Sequence, residues 1–365
     1  MSFTNYKEVR PWAKAIKEQV VAKTMPPWLA DPAHGVFKND RRLSEKEIAT
    51  LVNWANAGAP EGNPKETPAP PQFVEGWTIG KPDMVIDMGT TYSVPAEGVI
   101  PYQHFTVDPG FTEDKWVQAA EVRPDKRAVV HHVIVYILPP GVPVSAAQGE
   151  RQERREMLVG YAPGDPATIF EPGTARLVKA GSKLVFQMHY TTNGKAAVDK
   201  SYIGLIFAKE PPKYRAIITN TGNSSFRIPP GDPNHEVRST WTASDDMEII
   251  SFMPHMHVRG KAYKYTAVYP DGREEVLLNV PKYDFNWQLT YELAKPIKIP
   301  KGTRIEGLAH FDNSPNNKWN PDPTKEVRFG PQTWEEMMLG WFTYIIPADK
   351  APLASPVRRP TGAEE

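Results

Sequence analysis

The 365-residue chain contains no cysteine. Disulfides, thiolate metal sites and thioether-linked haem are thereby excluded, although the absence does not assign a redox compartment. Net charge is missing too, since Lys plus Arg and Asp plus Glu number 43 each. No global field draws the chain toward nucleic acid or a membrane surface, and neither is expected as a partner. No apolar run approaches the ~20 residues of a membrane span, and the opening MSFTNYKEVRPW lacks the apolar core of a signal peptide. Proline, by contrast, is abundant. The 38 prolines lie among short Val/Ile/Tyr-rich runs, a pattern that points to many short strands and fixed loops rather than long helices.

The composition changes along the chain. Residues 1–62 are expected to be helical: a first helix over 6–23 meets Pro11, tolerated only near a first turn or at a break, and stops at Met25-Pro26-Pro27-Trp28. A second helix is signalled by a capping box of Ser44 and Glu47, by Ile48, Leu51, Val52 and Ala55 on one face, and by Gly58 at its end. Residues 63–76 form a Pro-rich linker. From residue 77 the runs become β-branched and aromatic, at 84–88, 115–122, 128–137, 183–192 and 201–208. The pattern repeats from 211, with Pro270-Asp271-Gly272 as a hairpin turn. The expectation is a mainly β chain of two tandem sandwiches, 77–210 and 211–350, followed by a disordered tail over 351–365.

The chemistry concentrates in histidines. In SFMPHMHVRG, residues 251–260, His255 and His257 are two apart, so on an extended strand both imidazoles leave one face and can close on one ion. His131 and His132 are adjacent, which on an ideal strand sends them to opposite faces; a shared metal requires a twist or bulge there. His189, on one face with Val185 and Gln187, offers a further imidazole. Methionine is the available soft partner, at Met337 or Met338, and a thioether beside a His-x-His pair favours copper over zinc. A zinc hydrolase is disfavoured further because no Glu follows either histidine pair at base-donating spacing. His34, His104 and His235 are expected to serve packing or turns, while His310, just before the Met337 strand, either lines the site or is structural. Met188 and Met256 alternate with the ligand faces and are expected in the core; Met253 shares the parity of His255 and His257, with core and pocket both open to it.

In chain order, the motifs HH, QMHY, HMH and EEM resemble those of the copper type II, ascorbate-dependent monooxygenases, the family of peptidylglycine α-hydroxylating monooxygenase and dopamine β-monooxygenase. The resemblance covers roughly residues 77–347. It implies two jelly-roll-like sandwiches with one copper on each, two per chain. By the same resemblance His131, His132 and His189 hold an electron-transferring copper, and His255, His257 and Met337 hold the copper that activates O2. Met337 rather than Met338 matches the family's Glu-Met pattern, and Gln187 orients His189 or lines the gap between the sites. The implied reaction hydroxylates a substrate C–H with O2 and a reductant such as ascorbate. Its partners are a small-molecule substrate and an electron donor, a cytochrome among the candidates, and the implied location is periplasmic or secreted. The alternative is a non-catalytic copper-binding or interaction module that retains the fold.

Two departures qualify the resemblance. Where the peptide-processing member has an arginine two residues before its His-x-His pair and a tyrosine four residues after the methionine, this chain has Met253 and Trp341, so no clamp for a peptide carboxylate is evident. Residues 1–62 resemble the C-terminal part of a bacterial c-type cytochrome domain, with Met25 at the axial-ligand position, but the CxxCH motif would lie upstream of Met1. They are read as a helical remnant without haem attachment and Met1 as an internal start. The competing expectation is a helical cap on the next domain, with Met25 as ordinary core.

Overall fold

A computed structural model describes residues 3–67, 69, 76–144, 156–162 and 167–350. The tail 351–365, and residues 68 and 70–75 of the linker, lie outside the described residues. The fold is mainly β with a small helical N-terminal part. No helix of the described residues is long and apolar enough to cross a membrane.

Proline chemistry breaks the first helix where the sequence places it. Pro11 sits in a 3-10 turn, Arg10–Trp12, between helices Tyr6–Val9 and Ala13–Val21. The helix Glu45–Asn56 is capped reciprocally, as the Glu47 amide donates to Ser44 Oγ (3.3 Å) and the Ser44 amide to Glu47 Oε2 (2.7 Å). Gly58, at φ +81°, closes its end in the left-handed region that glycine enters without strain.

One long sheet runs through the molecule. In order, its strands are Met84–Asp87, Tyr202–Phe207, Lys115–Arg123, Thr174–Val178, Tyr214–Asn223, Met338–Pro347, Met247–His255 and Tyr291–Ile299. All neighbours are antiparallel except Thr174–Val178 with Tyr214–Asn223, the parallel join where strands from before residue 211 meet those from after it. Each half of the sheet packs on a four-stranded partner. The first partner is Gln103–Val107, Lys183–Tyr190, Val130–Leu138 and Glu156–Tyr161; the second is His235–Thr242, Arg304–Phe311, Gly260–Val268 and Glu274–Val280. Gly272, at φ +86°, turns the hairpin between the last two strands.

Two cores result. One joins Ile86, Val122 and Leu205 of the long sheet to Val133, Val135, Leu184 and Phe186. The other joins Ile249, Phe252 and Phe342 to Tyr263, Tyr265, Leu278 and Ile305. Each fully buried large apolar side chain stabilises the fold by about 1.5–3 kcal/mol, which is how sandwiches of this size hold without a disulfide. Alternation then creates a third apolar cluster: with Val133, Val135 and Ile137 in the first core, Ile134, Tyr136 and Leu138 face outward, toward Trp341, Met253 and Leu339.

The N-terminal part is docked on the second sandwich. Trp28 and Phe37 are buried against Tyr291, with ring centroids 5.0 Å (Trp28–Tyr291) and 5.6 Å (Phe37–Tyr291) apart. Phe37 bridges Leu293 by backbone pairing, and Lys38 Nζ reaches both Glu171 (2.8 Å) and Glu292 (3.0 Å), one carboxylate from each sandwich. Met25 does not join this core: it is 43% exposed, because the chain turns after it and carries Trp28 inward instead. Trp28→Ala is therefore expected to lower unfolding free energy by about 3–5 kcal/mol in urea titration, and to speed proteolytic release of residues before 40.

Candidate metal centres

A bulge builds the first imidazole set. Val130 pairs with Tyr190 and His132 with His189, so the register shifts between them and His131 is the extra residue. An inserted residue lets consecutive side chains share a side that strict alternation would deny them. One ligand atom each from His131, His132 and His189 lie within 4.8 Å of one another. The ring centroids are 5.0 Å (His131–His189) and 4.8 Å (His132–His189) apart, and the two Nδ1 atoms of His131 and His132 are 3.4 Å apart. Tyr102 packs edge-on against both His132 and His189.

All three are held neutral. Burial drives the His189 imidazole down to about 4, helped by His131, and pushes His131 down as well. His132 is depressed further, first by burial, then by His189 and His131, and also by His255 and His257. His189 Nδ1 is buried with no hydrogen-bond partner. Buried neutral imidazoles with converging lone pairs, one of them orphaned, fit a metal cation.

The second set sits across one aromatic ring. His255 ends the strand Met247–His255, opposite Leu339, and its ring centroid lies 5.3 Å from that of His257. Phe285 stacks on His131 (6.2 Å) and meets His257 edge-on (6.0 Å), so it touches one imidazole of each set. His255 Nδ1 donates to Gln288 Oε1 (2.6 Å) and His257 Nδ1 to the Glu335 carbonyl (3.3 Å). Because those oxygens only accept, each ring donates from Nδ1; for His255 this leaves the Nε2 lone pair to face an ion, while His257 has a further hydrogen bond with the Gln332 backbone. Burial also pushes His257 down to about 3, with His255 adding to it.

Glu336 holds this region together. It is fully buried, and its carboxylate accepts the backbone N–H groups of His257 (2.8 Å), Arg259 (2.6 Å) and Met337 (3.2 Å). The loop that carries His257 and the residue Met337 are thus fixed to one group. Burial raises the Glu336 carboxyl to about 8 against the pull of those N–H groups and of Arg259. Arg259 in turn donates to Asn313 Oδ1 and to the Trp334 carbonyl, both at 2.8 Å. With Glu336 committed to amides, the donors left at this end are imidazoles and a thioether, which suit copper.

Both sets open on one cavity of about 650 Å³, whose lining includes His131, His132, His255 and Met337. Gln187, Met253 and Trp341 line it too, and Gln187 contacts His104 Nε2 (3.1 Å) rather than His189. Met337 faces the cavity while Met338 is buried in the second core, as alternation requires. Met188 and Met256 are fully buried in the two cores. His310 is not among the described lining residues, since Ile305, Ala309 and Phe311 of its strand point into the core and His310 takes the opposite face. His235 pairs with Asp232 in a turn (3.1 Å). Tyr102, Phe285 and Gln288 were not singled out by sequence; they come from loops, with no motif to mark them.

No family model matches the chain. Over 242 residues, 59% of this chain and 46% of the relative, it is 23% identical to human (Homo sapiens) DBH-like monooxygenase protein 2. The chain thus spans about half the length of the curated relative it matches, and over that stretch it is similar to a DBH-like monooxygenase. Solved structures give only slight likeness. An infectious bursal disease virus structure (Gx strain) has a TM-score of 0.22 at 8% identity, over 74% of this chain and 75% of that one. Allantoicase from Saccharomyces cerevisiae has 0.18 at 8% identity, over 69% and 80%.

Two outcomes are expected. Glu336→Ala leaves three buried N–H groups without an acceptor and is expected to cost about 3–5 kcal/mol in chemical unfolding, with Glu336→Gln costing less. A histidine depressed in the fold is neutral there but takes a proton near 6.5 when unfolded, so acid favours the unfolded chain. Relative to His189→Phe, the metal-free parent is expected to lose stability as pH falls from about 6.5 to about 4, read from urea midpoints.

Proposed function

We propose that the chain is a copper-dependent monooxygenase that hydroxylates a substrate C–H with O2 and an electron donor such as ascorbate. The observation that carries this reading is the opening of both ligand sets on a single cavity. A lone structural metal site needs no such chamber, whereas a reaction that combines substrate, O2 and electrons does. The similarity to a DBH-like monooxygenase supports the same class.

His131, His132 and His189 would hold one copper, and His255, His257 and Met337 the other. Copper, when bound, supplies one-electron cycling between two oxidation states; imidazole serves both and a thioether favours the reduced one. Gln288 and the Glu335 carbonyl orient the rings of His255 and His257, and His255 presents Nε2. Glu336 keeps His257 and Met337 in register, and Phe285 packs on His131 of one set and His257 of the other. The cavity walls position substrate against the second set and keep bulk water away from it. Copper chemistry of this kind favours a periplasmic or secreted location, with an ascorbate-like reductant or a cytochrome delivering electrons.

Metal analysis after copper loading and dialysis tests the proposal. The parent is expected to retain two coppers, and His131→Ala and His255→Ala one each, with ascorbate-driven, substrate-dependent oxygen uptake lost in both variants. One copper or none in the parent would reduce the chain to a binding module.

A further inference from the structure

The cavity has a direction, set by the strand that floors it. Leu339, Trp341, Thr343 and Ile345 of Met338–Pro347 all line it, and across the pair His255 opposes Leu339, Met253 opposes Trp341, Ser251 opposes Thr343 and Glu248 opposes Ile345. At a rise of about 3.3 Å per residue, Leu339 and Ile345 lie about 20 Å apart. The end at His255 and Met337 is followed by an apolar stretch of Ile134, Ile218, Met253, Leu339 and Trp341. Along this strand pair the polar side chains Ser251, Thr343 and Glu248 come after Met253 and Trp341, while Tyr102, Gln187 and Gln288 also line the cavity and Gln288 is already bonded to His255.

Charge is distributed as unevenly as polarity. Among the described lining residues Lys38 is the only lysine or arginine, and its ammonium is already engaged by Glu171 and Glu292. Glu248 adds a third carboxylate to the lining. Among the described lining residues an anionic ligand would therefore meet carboxylates and no unengaged lysine or arginine. Placed in the apolar stretch, its charge would lose water without compensation.

We propose that this cavity selects an elongated apolar molecule that carries no anionic group, with Met253 and Trp341 flanking the part held nearest the metal end. The assignment of that part as the reacting end rests on the monooxygenase reading; the selectivity itself does not. Trp341 supplies a large aromatic face and Met253, opposite it, an adaptable thioether, a pair suited to gripping a ring or a branched aliphatic group.

Calorimetric titration of the metal-free full chain with 4-phenylbutan-1-ol and 4-phenylbutanoate tests this. The two probes share a skeleton and differ in charge. The alcohol is expected to bind at least tenfold more tightly than the carboxylate, and Trp341→Ala to weaken the alcohol at least tenfold. Met253→Lys is expected to reverse the order, a gain that misfolding cannot produce. Equal or tighter binding of the carboxylate by the parent, alcohol binding unaffected by Trp341→Ala, or an unreversed order in Met253→Lys would each overturn the proposal. Since no metal is present in the titration, its failure is separable from failure of the copper stoichiometry, which concerns the monooxygenase reading alone.

Discussion

The strand Met338–Pro347 is buried on both faces, and its alternation is the constraint on which the molecule depends. Met338, Phe342, Tyr344 and Ile346 belong to the second core, while Leu339, Trp341, Thr343 and Ile345 line the cavity. Stability and ligand recognition therefore share one backbone and cannot slip relative to each other. Gly340 shows how tightly the register is set: a Cβ there would collide with the Tyr263 hydroxyl. Sliding the strand by one residue would put Trp341 into the space of a core residue and Met338 into the cavity.

The cavity exists because the two sandwiches share a sheet without sharing a core. The parallel join of Thr174–Val178 to Tyr214–Asn223 continues the hydrogen-bonded ladder, while the outward face of Val130–Leu138 leans over the second sandwich. Ile134 and Tyr136 thus face Met253 and Trp341 across a gap that neither core fills. Lys38 closes one side of it from the docked N-terminal part, with an ion pair to each sandwich. Exposed pairs of this kind contribute little energy, up to about 1 kcal/mol each. Their consequence is positional.

Periodicity made much of this readable before any coordinates. Strand runs such as 84–88, 115–122 and 183–192 needed only β-branched residues between turns, and they appear as Met84–Asp87, Lys115–Arg123 and Lys183–Tyr190. His255 and His257 do come together, but the strand ends at His255 and His257 lies on the loop after it, held by Glu336, so strand alternation is not the cause; Pro11 announces its own break. Strands such as Gln103–Val107 and Thr174–Val178 were missed because their value lies in whom they pair with, which is a long-range property. Phe285 and Gln288 were illegible for the same reason, being loop residues brought to the histidines by the whole sandwich. Met25, which matched an axial-ligand position by resemblance and was otherwise expected in the core, is 43% exposed, and Trp28 is the side chain of that segment that is buried.

The bulge at His131 has a consequence for how such a sequence can change. A substitution along Val130–Leu138, whatever it costs in packing, leaves the neighbouring side chains on their faces. Deleting a single codon at the bulge would restore perfect alternation, improve the ladder and scatter the imidazoles. For this strand the harmful genetic event is a change of length, even one that makes the sheet more regular.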